Sequence, residues 1–169
     1  MQRVLVIGIS GAGKSTFSRT LAAKTGLPLV HLDKAFWRPG WLETPKPQWR
    51  AKMSELAGAA RWIMDGNFDS SLDLRLPRAD AVFWFDYPRL LCLRRVLGRI
   101  ATSYNTVRPD MGQGCPERID LEFLHYIWTF NARQRPRILA ALAQFGGHLH
   151  PVVFRRDSDV ARFLGAVPG

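Results

Sequence analysis

The 169-residue chain is 47% apolar and 22% charged, which excludes long disorder and fits a single compact domain, residues 1–169. Its formal net charge of +10 favours polyanionic partners such as nucleotides, nucleic acid or an acidic membrane surface. No apolar run approaches the roughly 18 residues of a membrane span, and the two cysteines lack metal or disulfide spacing. We therefore expect a cytoplasmic protein with no membrane partner.

The first part of the chain predicts strands that alternate with helices. Short apolar runs predict buried strands, and Gly or Pro residues mark their ends. In chain order the prediction is a strand at 3–8, a helix at 14–25, a strand at 29–33, a loop at 34–46, a helix at about 47–60 and a strand at 61–65.

The second part continues the alternation. It predicts a polar connection at 67–78, a strand at 81–85, a helix at 88–104, a loop at 105–116, a helix at about 117–132, a break or new helix at Pro136, a strand at 149–154 and a helical turn at 159–164. Such alternation indicates a parallel sheet covered on both faces. Ligands of these α/β folds bind at the carboxyl ends of the strands.

Residues 8–16 read Gly-Ile-Ser-Gly-Ala-Gly-Lys-Ser-Thr and match the phosphate-loop pattern G-x-x-x-x-G-K-[ST]. Glycines let the backbone turn its N–H groups toward phosphates, and the helix that follows presents its positive end. Lys14 can reach the β- and γ-phosphates, and Ser15 can bind Mg²⁺. The alternative is a glycine-rich turn with a surface lysine. We predict nucleotide binding by Gly8, Gly11, Ala12, Gly13, Lys14, Ser15 and Thr16.

Three aspartates end predicted strands: Asp33, Asp65 and Asp86. Phosphoryl transfer needs one carboxylate near the metal and often another to orient or deprotonate the acceptor hydroxyl. We predict that Asp65 holds Mg²⁺ together with Ser15, and that Asp33 serves the acceptor. Each aspartate could instead cap a loop or helix, and for Asp86 capping is the preferred reading.

Arg95 and Arg99 lie four residues apart and share one face of the predicted helix at 88–104. Arginines over transferring phosphates neutralise transition-state charge, and loops that carry them can close as lids. We predict that both are catalytic and that 95–118 is a lid, although a solvated basic face is the alternative. Arg75 and Arg78 are weaker candidates for holding an acceptor phosphate.

Aromatic residues cluster after Asp33, in a region at 34–60 that we assign to the acceptor. Phe36, Trp37, Trp41 and Trp49 could stack on a flat acceptor, but closing an apolar patch is the preferred reading for any one of them. The four histidines show no metal spacing, and we predict no role for them.

These features resemble the adenylate-kinase-like branch of P-loop kinases, which includes the nucleoside monophosphate, shikimate and gluconate kinases. More narrowly, the chain resembles the DNA topology modulation protein family, a group of small kinase-like proteins. The segments that carry this resemblance are residues 8–16, His-Leu-Asp-Lys at 31–34, Trp-Arg-Pro-Gly-Trp at 37–41, Met-Asp-Gly-Asn-Phe at 64–68 and Gly-Cys-Pro-Glu-Arg at 114–118.

The resemblance implies a P-loop NTPase three-layer α/β fold, with a five-stranded parallel sheet of order 2-3-1-4-5 and a small lid bearing Arg95 and Arg99. One departure concerns the acceptor. Nucleoside monophosphate kinases usually follow the third strand with Asp-Gly-x-Pro-Arg, whereas here Asp65-Gly66 precedes Asn67-Phe68. The arginine that grips an acceptor phosphate is missing from that position.

The sequence therefore predicts a kinase that uses ATP and Mg²⁺ to phosphorylate a small acceptor, with a nucleoside or nucleotide among the candidates. Two alternatives remain open. The basic charge fits a nucleic-acid-associated protein switched by nucleotide and linked to DNA topology, although no nucleic-acid-binding motif is present. A plain ATPase or nucleotide sensor without an acceptor is the other.

Overall fold

The computed structural model of this chain describes residues 1–168. Its strands are β1 Arg3–Gly8, β2 Leu29–His31, β3 Trp37–Arg38, β4 Leu42–Glu43, β5 Trp62–Asp65, β6 Ala81–Phe85 and β7 Val152–Phe154. Its α-helices are α1 Lys14–Thr25, α2 Leu32–Phe36, α3 Lys46–Gly58, α4 Leu72–Arg75, α5 Arg89–Ser103, α6 Leu121–Phe145 and α7 Asp157–Ala166. Short 3₁₀ turns at Asp69–Ser71 and Leu76–Arg78 flank α4.

Five strands form one parallel sheet in the order β2-β5-β1-β6-β7. With the hairpin β3–β4 set aside, this is the predicted order 2-3-1-4-5, so the fold prediction is confirmed. The central strands are buried on both faces: residues 4–7 of β1 and all of β5 are between 0% and 6% exposed. Because β1 is the middle strand, the loop after it opens at the centre of the sheet's carboxyl edge.

Two local predictions are corrected. Residues 29–33 are not one strand, because β2 ends at His31 and Asp33 lies in the first turn of α2. The predicted loop at 34–46 contains the hairpin β3–β4, whose turn includes Gly40 at φ 78° and Trp41 at φ 62°. The acceptor-side aromatics therefore lie on a helix and a hairpin instead of an irregular loop.

The predicted break at Pro136 is wrong, because α6 runs without interruption from Leu121 to Phe145. Proline removes one backbone donor from the helix. Buried side chains on both sides of it, Ile127 and Phe130 before and Ile138 and Leu142 after, pack into the core. The free energy gained by burying these side chains outweighs the cost of the one backbone hydrogen bond that the proline removes.

Across residues 1–168, every helix is too short or too polar to cross a membrane.

Candidate active site

The phosphate loop connects β1 to α1 in a conformation that glycine allows. Gly8, Gly11 and Gly13 have φ values of 132°, 86° and 92°. A Cβ on Gly8 would lie 2.3 Å from the carbonyl oxygen of Phe85, and one on Gly11 would lie 2.6 Å from that of Cys92. Gly13 instead faces open space, with nothing within 4 Å of an added Cβ. Close packing therefore leaves no room for a side chain at Gly8 and Gly11, whereas Gly13 faces open space in which a ligand could bind.

A cavity of about 1000 Å³ lies over this loop. Of the predicted nucleotide-binding residues, Gly11, Gly13, Lys14, Ser15 and Thr16 line it, whereas Gly8 and Ala12 do not. Ala12 is 2% exposed, so it packs into the core and shapes the loop from behind. The predicted catalytic residues Asp33, Asp65, Arg95 and Arg99 also line this cavity, so the structure brings these four together with Lys14.

Lys14 lies at the N-terminus of α1, and its Nζ donates a hydrogen bond to the carbonyl of Ile9 at 3.0 Å. Burial lowers the pKa of its ammonium, and the nearby carboxylates of Asp65 and Asp33 oppose that effect. The hydrogen bond and the burial both fit a lysine whose ammonium group binds the Ile9 carbonyl until the phosphate oxygens of a ligand replace that carbonyl.

Asp65 ends β5 and is 6% exposed. Its Oδ2 lies 2.9 Å from Nδ1 of His31. The sheet register explains this contact, since His31 on β2 pairs with Asp65 on β5. No role was predicted for His31; the only available signal was its place at the end of a strand adjacent to β5.

Asp33 also lines the cavity, on α2. Burial raises the pKa of its carboxyl to about 6, and the nearby Asp65 carboxylate acts in the same direction. Lys14 and Arg108 oppose this shift. A carboxyl group with a pKa near the working pH is suited to accept a proton from a hydroxyl group.

Asn67 follows Gly66 in the segment after β5, and it braces the phosphate loop. Its Oδ1 accepts a hydrogen bond from the N–H of Gly8 at 2.8 Å, and its Nδ2 donates to the Gly8 carbonyl at 2.9 Å. The same Nδ2 lies 3.1 Å from the hydroxyl of Tyr126 on α6. Sequence reasoning noted Asn67 only as a departure and missed this role.

Arg75 does not hold an acceptor phosphate. It is 0% exposed, and its guanidinium donates to the backbone carbonyls of Gly66, Asn67, Phe68 and Ser71. Burial lowers the pKa of Arg75 to about 9, so the group stays charged at neutral pH. Its role is to fix the backbone that follows β5.

Two further candidates also lie outside the cavity lining. Arg78 is exposed and donates to the carbonyl of Ser54. Asp86 does not cap α5; its carboxylate forms ion pairs with Arg135 at 3.2 Å and Arg155 at 4.0 Å. The preferred capping interpretation of Asp86 is therefore wrong.

Residues 104–120, which we name the cover loop, connect α5 to α6. Backbone hydrogen bonds close its neck, from Asn105 N–H to the Glu117 carbonyl at 2.8 Å and from Glu117 N–H to the Thr106 carbonyl at 2.9 Å. Its tip contacts the hairpin, where Gly40 N–H donates to the Gly114 carbonyl at 2.9 Å. The loop thus spans from α5 to the acceptor-side hairpin.

Ion pairs connect the cover loop to the cavity. Glu117 accepts from Arg99 at 2.9 Å and from Arg108 at 2.9 Å, and Arg108 also bonds Asp110 at 3.0 Å. Asp110 is 6% exposed, and the nearby Ser15 side chain is one of the groups that lower the pKa of its carboxyl. Neither Asp110 nor Glu117 was predicted to be a site residue.

Arg95 and Arg99 line the cavity but already have carboxylate partners. Arg95 bonds Asp157 at 2.6 Å, outside the cover loop, and Arg99 bonds Glu117. Within residues 1–168, the buried Nε of Arg99 has no hydrogen-bond partner.

Comparison with solved structures supports the fold assignment. An unliganded sugar kinase from Janibacter sp. HTCC2649 superposes with a TM-score of 0.52 at 19% identity, covering 98% of this chain and 93% of that chain. A gluconokinase from Sinorhizobium meliloti 1021 superposes with a TM-score of 0.51 at 16% identity, covering 97% of this chain and 94% of that chain. No protein-family model and no curated protein sequence matches the chain. The chain thus has the α/β fold of these kinases, with a phosphate loop after β1.

Proposed function

We propose that this protein is a kinase that transfers the γ-phosphoryl group of Mg-ATP to a hydroxyl group of a small molecule. One observation carries the proposal: a phosphate loop, its lysine and two carboxylates line one cavity of about 1000 Å³. The two superposed structures, a sugar kinase and a gluconokinase, support the same reaction class by analogy of fold.

Three kinds of side chain would act on the reactants. Lys14 would leave the Ile9 carbonyl and neutralise the β- and γ-phosphates. Asp33 would take the proton of the acceptor hydroxyl as its oxygen bonds to the γ-phosphorus and the bond to the ADP leaving group breaks. Arg95 and Arg99 would offset the charge of the transferring group.

The oxygen atoms of side chains near Ser15 are suitable ligands for Mg²⁺. Within residues 1–168, no cluster of three or more His, Cys, Asp and Glu side chains could hold a metal ion unaided. In kinase sites, however, substrate phosphates and one or two carboxylates hold Mg²⁺. The Ser15 hydroxyl and the Asp65 carboxylate would hold it here, and the Asp110 carboxylate lines the same cavity near Ser15. When bound, Mg²⁺ would neutralise phosphate charge.

The proposal is tested by ADP release from Mg-ATP, measured with and without nucleosides, nucleoside monophosphates and small hydroxylated metabolites. We expect one acceptor class to accelerate release in the wild type and not in Lys14→Ala. A rate that no acceptor raises would favour the ATPase or sensor alternative instead.

A second candidate function rests on where the charge lies. The chain has 14 Asp and Glu residues, and eight of them line the cavity: Asp33, Glu43, Asp65, Asp69, Asp110, Glu117, Asp120 and Glu122. Six Lys and Arg residues line it as well, so the rest of the chain is slightly more basic than the net charge of +10 of the whole chain. The protein could instead associate with nucleic acid under the control of bound nucleotide, in line with its resemblance to DNA topology modulation proteins. Its affinity for DNA would then fall steeply as the salt concentration rises. No binding at low salt would exclude it.

A further inference from the structure

The part of the cavity beyond the phosphate loop has the opposite charge from the protein as a whole. We name this part the acceptor side; its lining comes from α2, the hairpin β3–β4, residues 68–69 and residues 118–126. Besides Asp33, the proposed base, it carries four carboxylates, Glu43, Asp69, Asp120 and Glu122, against one cation, Arg118. In a chain with 24 Lys and Arg residues, this local excess of negative charge indicates a ligand that is not an anion.

The single cation on the acceptor side is already engaged. Arg118 bonds Asp120 at 3.1 Å, and its guanidinium carbon lies 5.2 Å from the ring centroid of Trp41. Arg75, the other arginine near the exit of β5, is bound to backbone carbonyls. Within the described part of the chain, no unpaired arginine is left on this side to grip an acceptor phosphate or carboxylate.

Two of the carboxylates are free. Asp69 pairs with Arg137 at 3.5 Å and Asp120 with Arg118, but Glu43 and Glu122 form no ion pair with any residue from 1 to 168. Both are exposed and line the cavity. They can therefore meet a cationic group without first breaking another pair.

Aromatic rings make up the rest of the acceptor side. Phe36 contacts Trp37 and Phe68 at centroid distances of 5.0 and 4.8 Å, and Trp37 contacts Trp41 at 5.5 Å. Phe123 and Tyr126 on α6 line the same cavity. Ring faces attract both flat apolar groups and ammonium ions, most strongly where water is excluded.

From these observations, and on the premise of the kinase activity proposed above, we infer that the acceptor is a hydroxyl compound that carries a protonated amine and an apolar or ring face. The aromatic rings would hold that face, and Glu43 and Glu122 would pair with the ammonium group. In the reaction the acceptor oxygen bonds to the γ-phosphorus, the bond to ADP breaks, and the hydroxyl proton passes to Asp33. Nucleoside monophosphates and sugar acids such as gluconate would be poor acceptors, because the same carboxylates repel them.

The test uses acceptors that differ mainly in charge. One series is 2-amino-1-phenylethanol, 1-phenyl-1,2-ethanediol and mandelate, and another is glucosamine, glucose and gluconate. We expect the amine of at least one series to have a kcat/KM at least about tenfold above that of its carboxylate counterpart, a difference of about 1.4 kcal/mol. A carboxylate that equals or exceeds the amine, or the absence of turnover with both amines, would overturn the inference.

A double variant, Glu43→Gln with Glu122→Gln, should reduce the amine preference at least fivefold, whereas the exposed Glu55→Gln on α3, outside the cavity, should leave it unchanged. An unaltered preference in the double variant would overturn the assignment of these two residues. Binding of Mg-ATP, measured by calorimetry in the same samples, separates the two claims. A wild type that shows no amine preference but binds ATP contradicts only the acceptor inference, whereas a wild type that does not bind ATP contradicts the proposed function itself.

Discussion

Nδ1 of His31 lies 2.9 Å from Oδ2 of Asp65, and the register of β2 against β5 sets this contact. His31 therefore orients the carboxylate that the sequence assigns to Mg²⁺. We expect His31→Ala to lower kcat/KM by about 10- to 100-fold, the usual cost of losing a partner that orients a metal-binding group, and to raise the Mg²⁺ concentration needed for half-maximal activity. His125→Ala, exposed on α6, is the control. Activity and Mg²⁺ dependence equal to wild type in His31→Ala would refute the role.

The pKa of Asp33 predicts the acid limb of the pH–rate profile. Burial and Asp65 raise that pKa to about 6, so the carboxyl group is protonated below about pH 6 and cannot accept a proton there. The rate should rise up to about pH 6 and level off above it. Asp33→Asn should remove this limb and lower kcat by roughly 10²- to 10⁴-fold. An unchanged profile in Asp33→Asn, at the full rate, would show that Asp33 is not the base.

Asp110 places a negative charge beside Ser15 in the phosphate loop. Although burial raises the pKa of Asp110, Arg108, a backbone N–H and the Ser15 side chain lower it below its usual value, so the group is ionised. Asp110→Asn removes the repulsion and one of the two ion pairs of Arg108, which keeps its pair with Glu117. Without Mg²⁺, we expect ATP to bind about 3- to 10-fold more tightly to this variant. Calorimetry in EDTA measures the effect, with Glu55→Gln as control, and unchanged or weaker binding would contradict it.

Arg75 has a structural role that stability measurements can isolate. Truncating it leaves several buried carbonyls without donors, so Arg75→Ala should lower the free energy of unfolding by about 3 kcal/mol or more. Arg78→Ala, at an exposed site, should change it by less than about 0.5 kcal/mol. Urea unfolding compares the two. A stable Arg75→Ala with a raised KM for the acceptor would instead support the original phosphate-gripping assignment.

The fold followed from local patterns in the sequence. Apolar runs such as Val4–Ile7 are short, β-branched and bounded by glycine, so strand positions and the phosphate loop were both predictable. Errors arose where tertiary packing overrides a local rule. Pro136 stays inside α6 because core residues on both sides of it are buried together, and this cannot be read from the proline alone.

Site residues could be predicted where one contiguous segment forms a motif, and could not be predicted where their role depends on contacts between distant segments. Residues 8–16 identify the phosphate loop by themselves, and strand ends pointed to Asp65. The pairing of His31 with Asp65 needs the register of two strands, and Asp110 reaches Ser15 only through the path of the cover loop. Arg75 was misassigned because its burial depends on the loop that it ties together.

The central claim is that the γ-phosphoryl group moves from ATP to an acceptor through the phosphate loop. The most direct measurement follows ATP labelled at the γ-phosphorus and asks whether the label appears on the acceptor. The account predicts labelled acceptor with the wild type and a loss of at least about 100-fold in Lys14→Ala, with the circular dichroism spectrum unchanged. Label that appears only in inorganic phosphate, or equal transfer by the folded variant, would contradict it.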